Sequence, residues 1–146
     1  MPESTHGAAP STEVDGFLAS LDHPMAEPLA DLRGRIVAAA PAEVVENVKW
    51  NAPNYSIGGI DRVTLGVDPR GRMRVVLHRG VKVIESDGFT FEDDSGIITW
   101  AATDRGVITI VSPEQYTAQA DAIIGIVGRW LRTSPTPVMI RKHCGA

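Results

Sequence analysis

The sequence predicts an α+β domain: an antiparallel β-meander of about five strands, with N-terminal helices and a long C-terminal helix packed on one face. Three observations carry this. Apolar residues recur at helical spacing from Val14 to Val37 and again after Ser112. Between Tyr55 and Ile110 the period drops to two, punctuated by short turns rich in Gly and Pro. No strand–helix–strand alternation occurs, so the strands are expected to run antiparallel, with helices over one face.

Thr12 followed by Asp15 resembles a weak capping box, and Val14, Phe17, Leu18 and Leu21 fall on one face of a first helix that His23-Pro24 ends. Leu29, Leu32, Ile36 and Val37 mark a second helix running to about Ala40. Pro41 suits the first position of a further helical turn, because its missing N–H costs nothing there. Val44, Val45 and Val48 are expected to carry that turn as far as Trp50.

Strands follow. Ile57-Gly58-Gly59-Ile60 has the two-residue loop of a tight hairpin. Asp68-Pro69-Arg70-Gly71 reads as a type I turn closed by a glycine bulge. That loop sets Val67 opposite Met73, Leu65 opposite Val75 and Val63 opposite Leu77; a two-residue loop would mix charged and apolar side chains on one face. By the same argument Asp104-Arg105-Gly106 is a bulged loop with Ala102 opposite Ile108 and Trp100 opposite Ile110. Ser112-Pro113-Glu114-Gln115 is a strong helix start. Tyr116, Ala120, Ile123, Ile124, Val127, Trp130 and Leu131 are the expected buried stripe of the last helix.

The chain has 146 residues, enough to bury roughly 70% of its unfolded surface as one domain. Residues 1–12 read as a disordered tail, 13–132 as the domain and 133–146 as a C-terminal tail. A net charge of −4 argues against phosphate-driven nucleic-acid binding. No apolar run is long enough to span a bilayer, and the polar start lacks the basic and apolar regions of a signal peptide. The lone Cys144 rules out an internal disulfide and fits a reducing, cytoplasmic setting.

Two constellations suggest binding. Lys49-Trp50-Asn51-Ala52-Pro53-Asn54-Tyr55 concentrates two aromatics and two amides at a corner stiffened by Pro53. Trp50 and Tyr55 offer flat walls, and Asn51 and Asn54 donate and accept hydrogen bonds; a core plug with turn-forming amides is the competing interpretation. On the strand from Arg70 to His78, Arg72, Arg74, Val76 and His78 share the face opposite Met73, Val75 and Leu77. With Arg79 and Lys82 they make a local basic face suited to carboxylate or phosphate, unless Asp61 and Asp68 neutralise it. The loop from Glu85 to Asp94 holds five carboxylates, with Glu85, Asp87, Glu92, Asp93 and Asp94 as weak candidates for a hard cation, but lacks calcium-loop spacing. His143-Cys144 sits in a tail without a shielding pocket, and no nucleotide, hydrolase or zinc motif occurs. No catalytic residue is expected.

The segment Val48-Lys49-Trp50-Asn51-Ala52-Pro53-Asn54-Tyr55, its helical lead-in and Leu77-His78-Arg79-Gly80-Val81-Lys82 together resemble the YdhG-like family (domain of unknown function 1801). The similarity covers roughly Val14 to Lys82, plus the last helix by position; the second and third strands are Val- and Arg-rich where the family is aromatic-rich. The resemblance implies the same α+β fold. One member is regarded as a frataxin-like iron carrier, which would imply iron held by surface carboxylates such as Glu13, Asp15, Asp22, Glu27 and Asp31, or by the acidic loop. The expectation is therefore a cytoplasmic, non-catalytic binding domain for a small anionic or polar ligand or a protein partner, with an iron carrier as the alternative and an unrecognised enzyme as a second.

Overall fold

The computed structural model describes residues 9–79, 91–102 and 104–133. Helices α1 (Thr12–Ala19) and α2 (Ala26–Ala39) precede strands β1 (Val45–Lys49), β2 (Ala52–Ile57), β3 (Ile60–Val67), β4 (Met73–Leu77), β5 (Thr99–Ala102) and β6 (Arg105–Ile110), and α3 (Pro113–Leu131) follows. One antiparallel sheet holds all six strands in the order β1-β2-β3-β4-β6-β5. The α+β class is as the sequence predicts. The meander is broken once, since β6 rather than β5 lies beside β4.

The sixth strand is β1, in the segment where the valine spacing predicts a helix. Val44, Val45 and Val48 fit either period over so short a run. Two local effects decide. Ala40, preceding Pro41, is extended (φ −71°, ψ 153°) and ends α2. Trp50-Asn51 then forms a two-residue turn that folds β1 back on β2, pairing Lys49 with Ala52 and Val45 with Ser56. Pro53 costs this ladder nothing. The N–H of its partner Val48 points away from β2, to Glu13 Oε1 at 2.9 Å, so the proline nitrogen faces β3. There pairing begins only at Asn54.

The two sequence-derived hairpins at 57–60 and 67–73 are present. Ile57 pairs with Ile60 across Gly58 and Gly59, both at positive φ, and Val67, Leu65 and Val63 face Met73, Val75 and Leu77. The β5–β6 register differs. Trp100 pairs with Gly106 and Ala102 with Arg105, with a bulge between Trp100 and Ala102. The Trp100 ring occupies the space above Gly106, where an added Cβ would stand 3.0 Å from Cε3 and 2.6 Å from Ile98 Cγ2. Glycine is thus a docking position for the indole, which alternation alone does not reveal.

The core lies between the helices and one sheet face: Leu29, Leu32 and Ile36 from α2, Ile123, Val127 and Trp130 from α3, and Tyr55, Val63, Leu65, Val75, Leu77, Ile108 and Ile110 from the strands. In α3, Ile126 is buried and Ile124 only half-buried, a one-step rotation of the expected stripe. Ser112 caps α3 through a hydrogen bond from the Gln115 N–H. Ser11, one residue before the expected Thr12, caps α1.

Two buried charges tie the layers together. Glu46 accepts both Nε and Nη2 of Arg33, each at 2.8 Å, the Tyr55 hydroxyl at 2.8 Å and the Ser11 N–H at 2.8 Å. Four chain segments therefore meet on one carboxylate. Arg62 is the extra residue of a bulge between β2 and β3, and its Nη2 donates to the Trp130 and Thr133 carbonyls and the Thr133 hydroxyl, closing the C-terminus of α3.

Candidate functional site: a cleft under the Trp50 turn

Trp50 and Tyr55 separate. Tyr55 is fully buried on the core face, and burial, then the charge of Glu46, pushes its phenol far above the ordinary range. Trp50 remains 53% exposed on the other side of the sheet. The alternation of β2 accounts for this division, because Tyr55 shares a face with the core while Asn54 shares the opposite one. Trp50 (φ 55°) and Asn51 (φ 56°) both sit in the left-handed region, as a type I′ turn requires. Asparagine tolerates that conformation; for tryptophan it carries strain.

The strained turn aims the indole across the sheet. Its ring centroid lies 6.0 Å from that of His78 on the far side of β3, and Lys49 Nζ stands 5.0 Å from the same indole. Trp50, Thr64, Val76, His78 and Arg105 line a cleft of about 320 Å³. The walls are one aromatic face and one aliphatic side chain; the polar groups are a hydroxyl, an imidazole and a guanidinium. Such a mixture of flat apolar wall and few directed polar groups is typical of small-ligand sites.

Beneath the cleft runs a continuous polar chain. Lys49 Nζ donates to Asp61 Oδ2 (2.7 Å), and Asn54 Nδ2 to Asp61 Oδ1 (2.8 Å). Thr64 Oγ1 donates to Asn54 Oδ1 (2.8 Å) and lies 2.9 Å from His78 Nε2. Asn54, Asp61, Thr64 and His78 are all buried. Burial works against the Asp61 charge, yet the hydrogen bonds from Lys49 and Asn54 hold its carboxyl below the usual value. Burial lowers the His78 pKa; Arg105 is the next contributor, so the ring is neutral at neutral pH.

The other sequence-derived candidates are dispersed. Asn51 is exposed at the turn, and Pro53 is buried in β2. Arg72 and Arg74 share the face of His78 but lie toward the other end of β4, where Asp68 binds them at 2.8 and 3.5 Å. Arg79 points to the opposite side from His78, is buried, and has Asp104 Oδ2 3.8 Å from Nη1. The basic face is therefore partly neutralised. Arg105, which the sequence suggests only as a loop residue, supplies the cation of the cleft instead. Its position at the start of β6, beside β4, follows from a β5–β6 register that alternation alone does not reveal.

Asp93 accepts from Ser95 and Arg129 and Glu92 is exposed, as is Asp94. Glu85, Asp87 and Lys82 lie outside the described residues, and so do Gly80, His143 and Cys144. Of the acids on the first helices, Glu13 accepts from Val48, Asp15 pairs with Arg33, and Asp31 accepts from Arg35 and Tyr116. Among the described residues no three His, Cys, Asp or Glu side chains come together as a metal-binding group. None of the described helices is long and apolar enough to cross a membrane. Comparison with protein-family models, with curated proteins and with solved structures gives no match.

Proposed function

We propose that this is a binding domain for a small, flat organic anion held under the Trp50 turn, without catalysis. The supporting observation is the indole itself. A bulky side chain occupies a left-handed turn position, stays half exposed, and faces His78 across a polar-floored cleft. A turn selected for stability alone would carry Asn-Gly there. Strain maintained at an exposed aromatic is a reason to look for a ligand at that position.

The cleft chemistry supports the ligand class. Arg105 offers a cation to a carboxylate or phosphate, while Trp50 and Val76 suit a ring or other flat apolar body. A volume of about 320 Å³ favours a small molecule over a protein partner.

Benzoate, nicotinate and phenyl phosphate, titrated while the Trp50 indole resonance is followed by NMR, test the reading. At least one acid is expected to shift that resonance saturably, and Arg105→Gln is expected to weaken binding by about tenfold, the scale of a lost charge-assisted hydrogen bond. Absence of any saturable shift, or equal binding by the Arg105→Gln protein, refutes it.

A further inference from the structure

The polar chain beneath the cleft has only one consistent proton arrangement. Asp61 is ionised and can only accept. Its Oδ2 takes a proton from Lys49, so its Oδ1 must take one from Asn54, which fixes Nδ2 of that amide toward Asp61. The second proton of Nδ2 points to Asn47 Oδ1 at 3.2 Å. Asn54 Oδ1 is thereby turned toward Thr64 and accepts the single hydroxyl proton. Thr64 Oγ1 has no proton left for His78, so at 2.9 Å it must accept one from Nε2. Each assignment follows from donor and acceptor capacity rather than from hydrogen positions.

A neutral imidazole protonated at Nε2 has a lone pair at Nδ1. That nitrogen makes no hydrogen bond to any described residue, and the ring lines the cleft. Among the described residues, Lys49 on β1, Arg62 on β3 and Arg105 on β6 disfavour a second proton on it, and Asp61 on β3 favours one; burial is the largest influence and also opposes it.

We infer that His78 serves the cleft as a hydrogen-bond acceptor through Nδ1, so that the ligand is an aromatic acid bearing a separate O–H or N–H donor rather than a plain carboxylate. This rests on the binding reading above and narrows it. Arg105 takes the anion, Trp50 and Val76 take the ring, and His78 takes the donor. A ligand lacking the donor leaves Nδ1 unsatisfied once water is excluded, and a site built to receive a polar group discriminates against analogues without it.

The test separates the two layers. Two-bond ¹H–¹⁵N correlation spectra of the free protein at neutral pH, with His78→Gln used to assign the ring, read the tautomer without any ligand. Nε2 protonation is expected; protonation at Nδ1, or an averaged pattern, overturns the inference even if benzoate binds. NMR titrations then compare benzoate with 3-hydroxybenzoate, 4-hydroxybenzoate and 3-aminobenzoate. At least one substituted acid is expected to bind about fivefold or more tighter than benzoate, the scale of one net hydrogen bond. Thr64→Val removes the acceptor that holds the tautomer and is expected to abolish the preference, and Thr64→Ser to retain it. Equal affinities for all four acids in the wild type overturn the ligand class while leaving an anion site. Binding of none removes the ligand class together with the binding reading.

Discussion

The rings of Trp50 and His78 face each other at 6.0 Å between centroids and 59° between planes, although one belongs to the β1–β2 turn and the other follows β4. Thr64 of β3 completes the cleft between them and holds the imidazole through Nε2. A turn, a central strand and the end of a third strand thus converge on one small volume. The strain at Trp50 and the buried chain from Lys49 to His78 meet there.

Turn strain makes a first prediction. Glycine is the preferred second residue of a type I′ turn, so Asn51→Gly is expected to raise stability by about 0.5–1 kcal/mol. Trp50→Gly should leave stability within about 0.5 kcal/mol, because relieved strain offsets the lost ring contacts, while eliminating aromatic-acid binding. Urea unfolding midpoints together with the NMR titration check both. A large stability loss in Trp50→Gly would mark the indole as a structural plug.

Glu46 is expected to be the most sensitive buried carboxylate. Glu46→Gln removes the charge facing Arg33 and cannot accept at both oxygens, so the fold should lose about 3 kcal/mol. Chemical denaturation measures this. The same variant should loosen Ser11 and the start of α1, seen as faster amide exchange there.

Among the described residues, Arg62 has carbonyl and hydroxyl partners and no carboxylate. Burial, with Arg79 nearby, pulls its pKa down to about 10, and its Nε and Nη1 have no hydrogen-bond partner. Arg62→Met keeps the volume but leaves the Trp130 and Thr133 carbonyls without this donor, and a loss of about 1–3 kcal/mol is expected. Hydrogen exchange at the last turn of α3 should rise more than at its centre. Uniform loss along the helix would contradict the capping role.

The His78 shift gives a signed pH dependence. Burial holds the imidazole below its ordinary value of 6.5. On acidification the unfolded chain takes up this proton first, so stability falls as pH drops through about 6.5 and is independent of the group above that range. His78→Gln should remove this component. Denaturation midpoints measured from about pH 5 to 8 in both proteins test it. Identical pH profiles would contradict the lowered pKa.

At the sheet edge, Gly106→Ala places a methyl against Ile98 and the Trp100 ring. A cost of about 1–3 kcal/mol is expected from the forced displacement. Exchange protection should be lost in β5 first, since the substituted residue pairs directly with Trp100.

Alternation and turn chemistry were enough to read the long elements. The Gly58-Gly59 hairpin, the Asp68–Gly71 bulge with its register, the Ser112 cap and most of the α3 stripe all follow from local rules. They are legible because a one-residue slip would turn every side chain to the wrong face. At the site, Trp50, Asn54 and His78 are legible in the sequence, and alternation along β4 already puts His78, which follows it, on the face of Val76.

Local rules could not choose between helix and strand for Val44 to Lys49. The run is too short for its period to be unique, and its strand conformation depends on partners distant in sequence: Tyr55 and Arg33 for the Glu46 carboxylate, β2 for the backbone. Tertiary structure also sent Tyr55 into the core and Trp50 to the opposite side, spent Arg72 and Arg74 on Asp68, and brought Arg105 to His78 through the β4–β6 pairing. Which residue types are present, and on which strand face, was written in the alternation. Which of them meet depended on strand order and one positive-φ turn, because neighbours in a sheet are set by pairing between segments and not by distance along the chain.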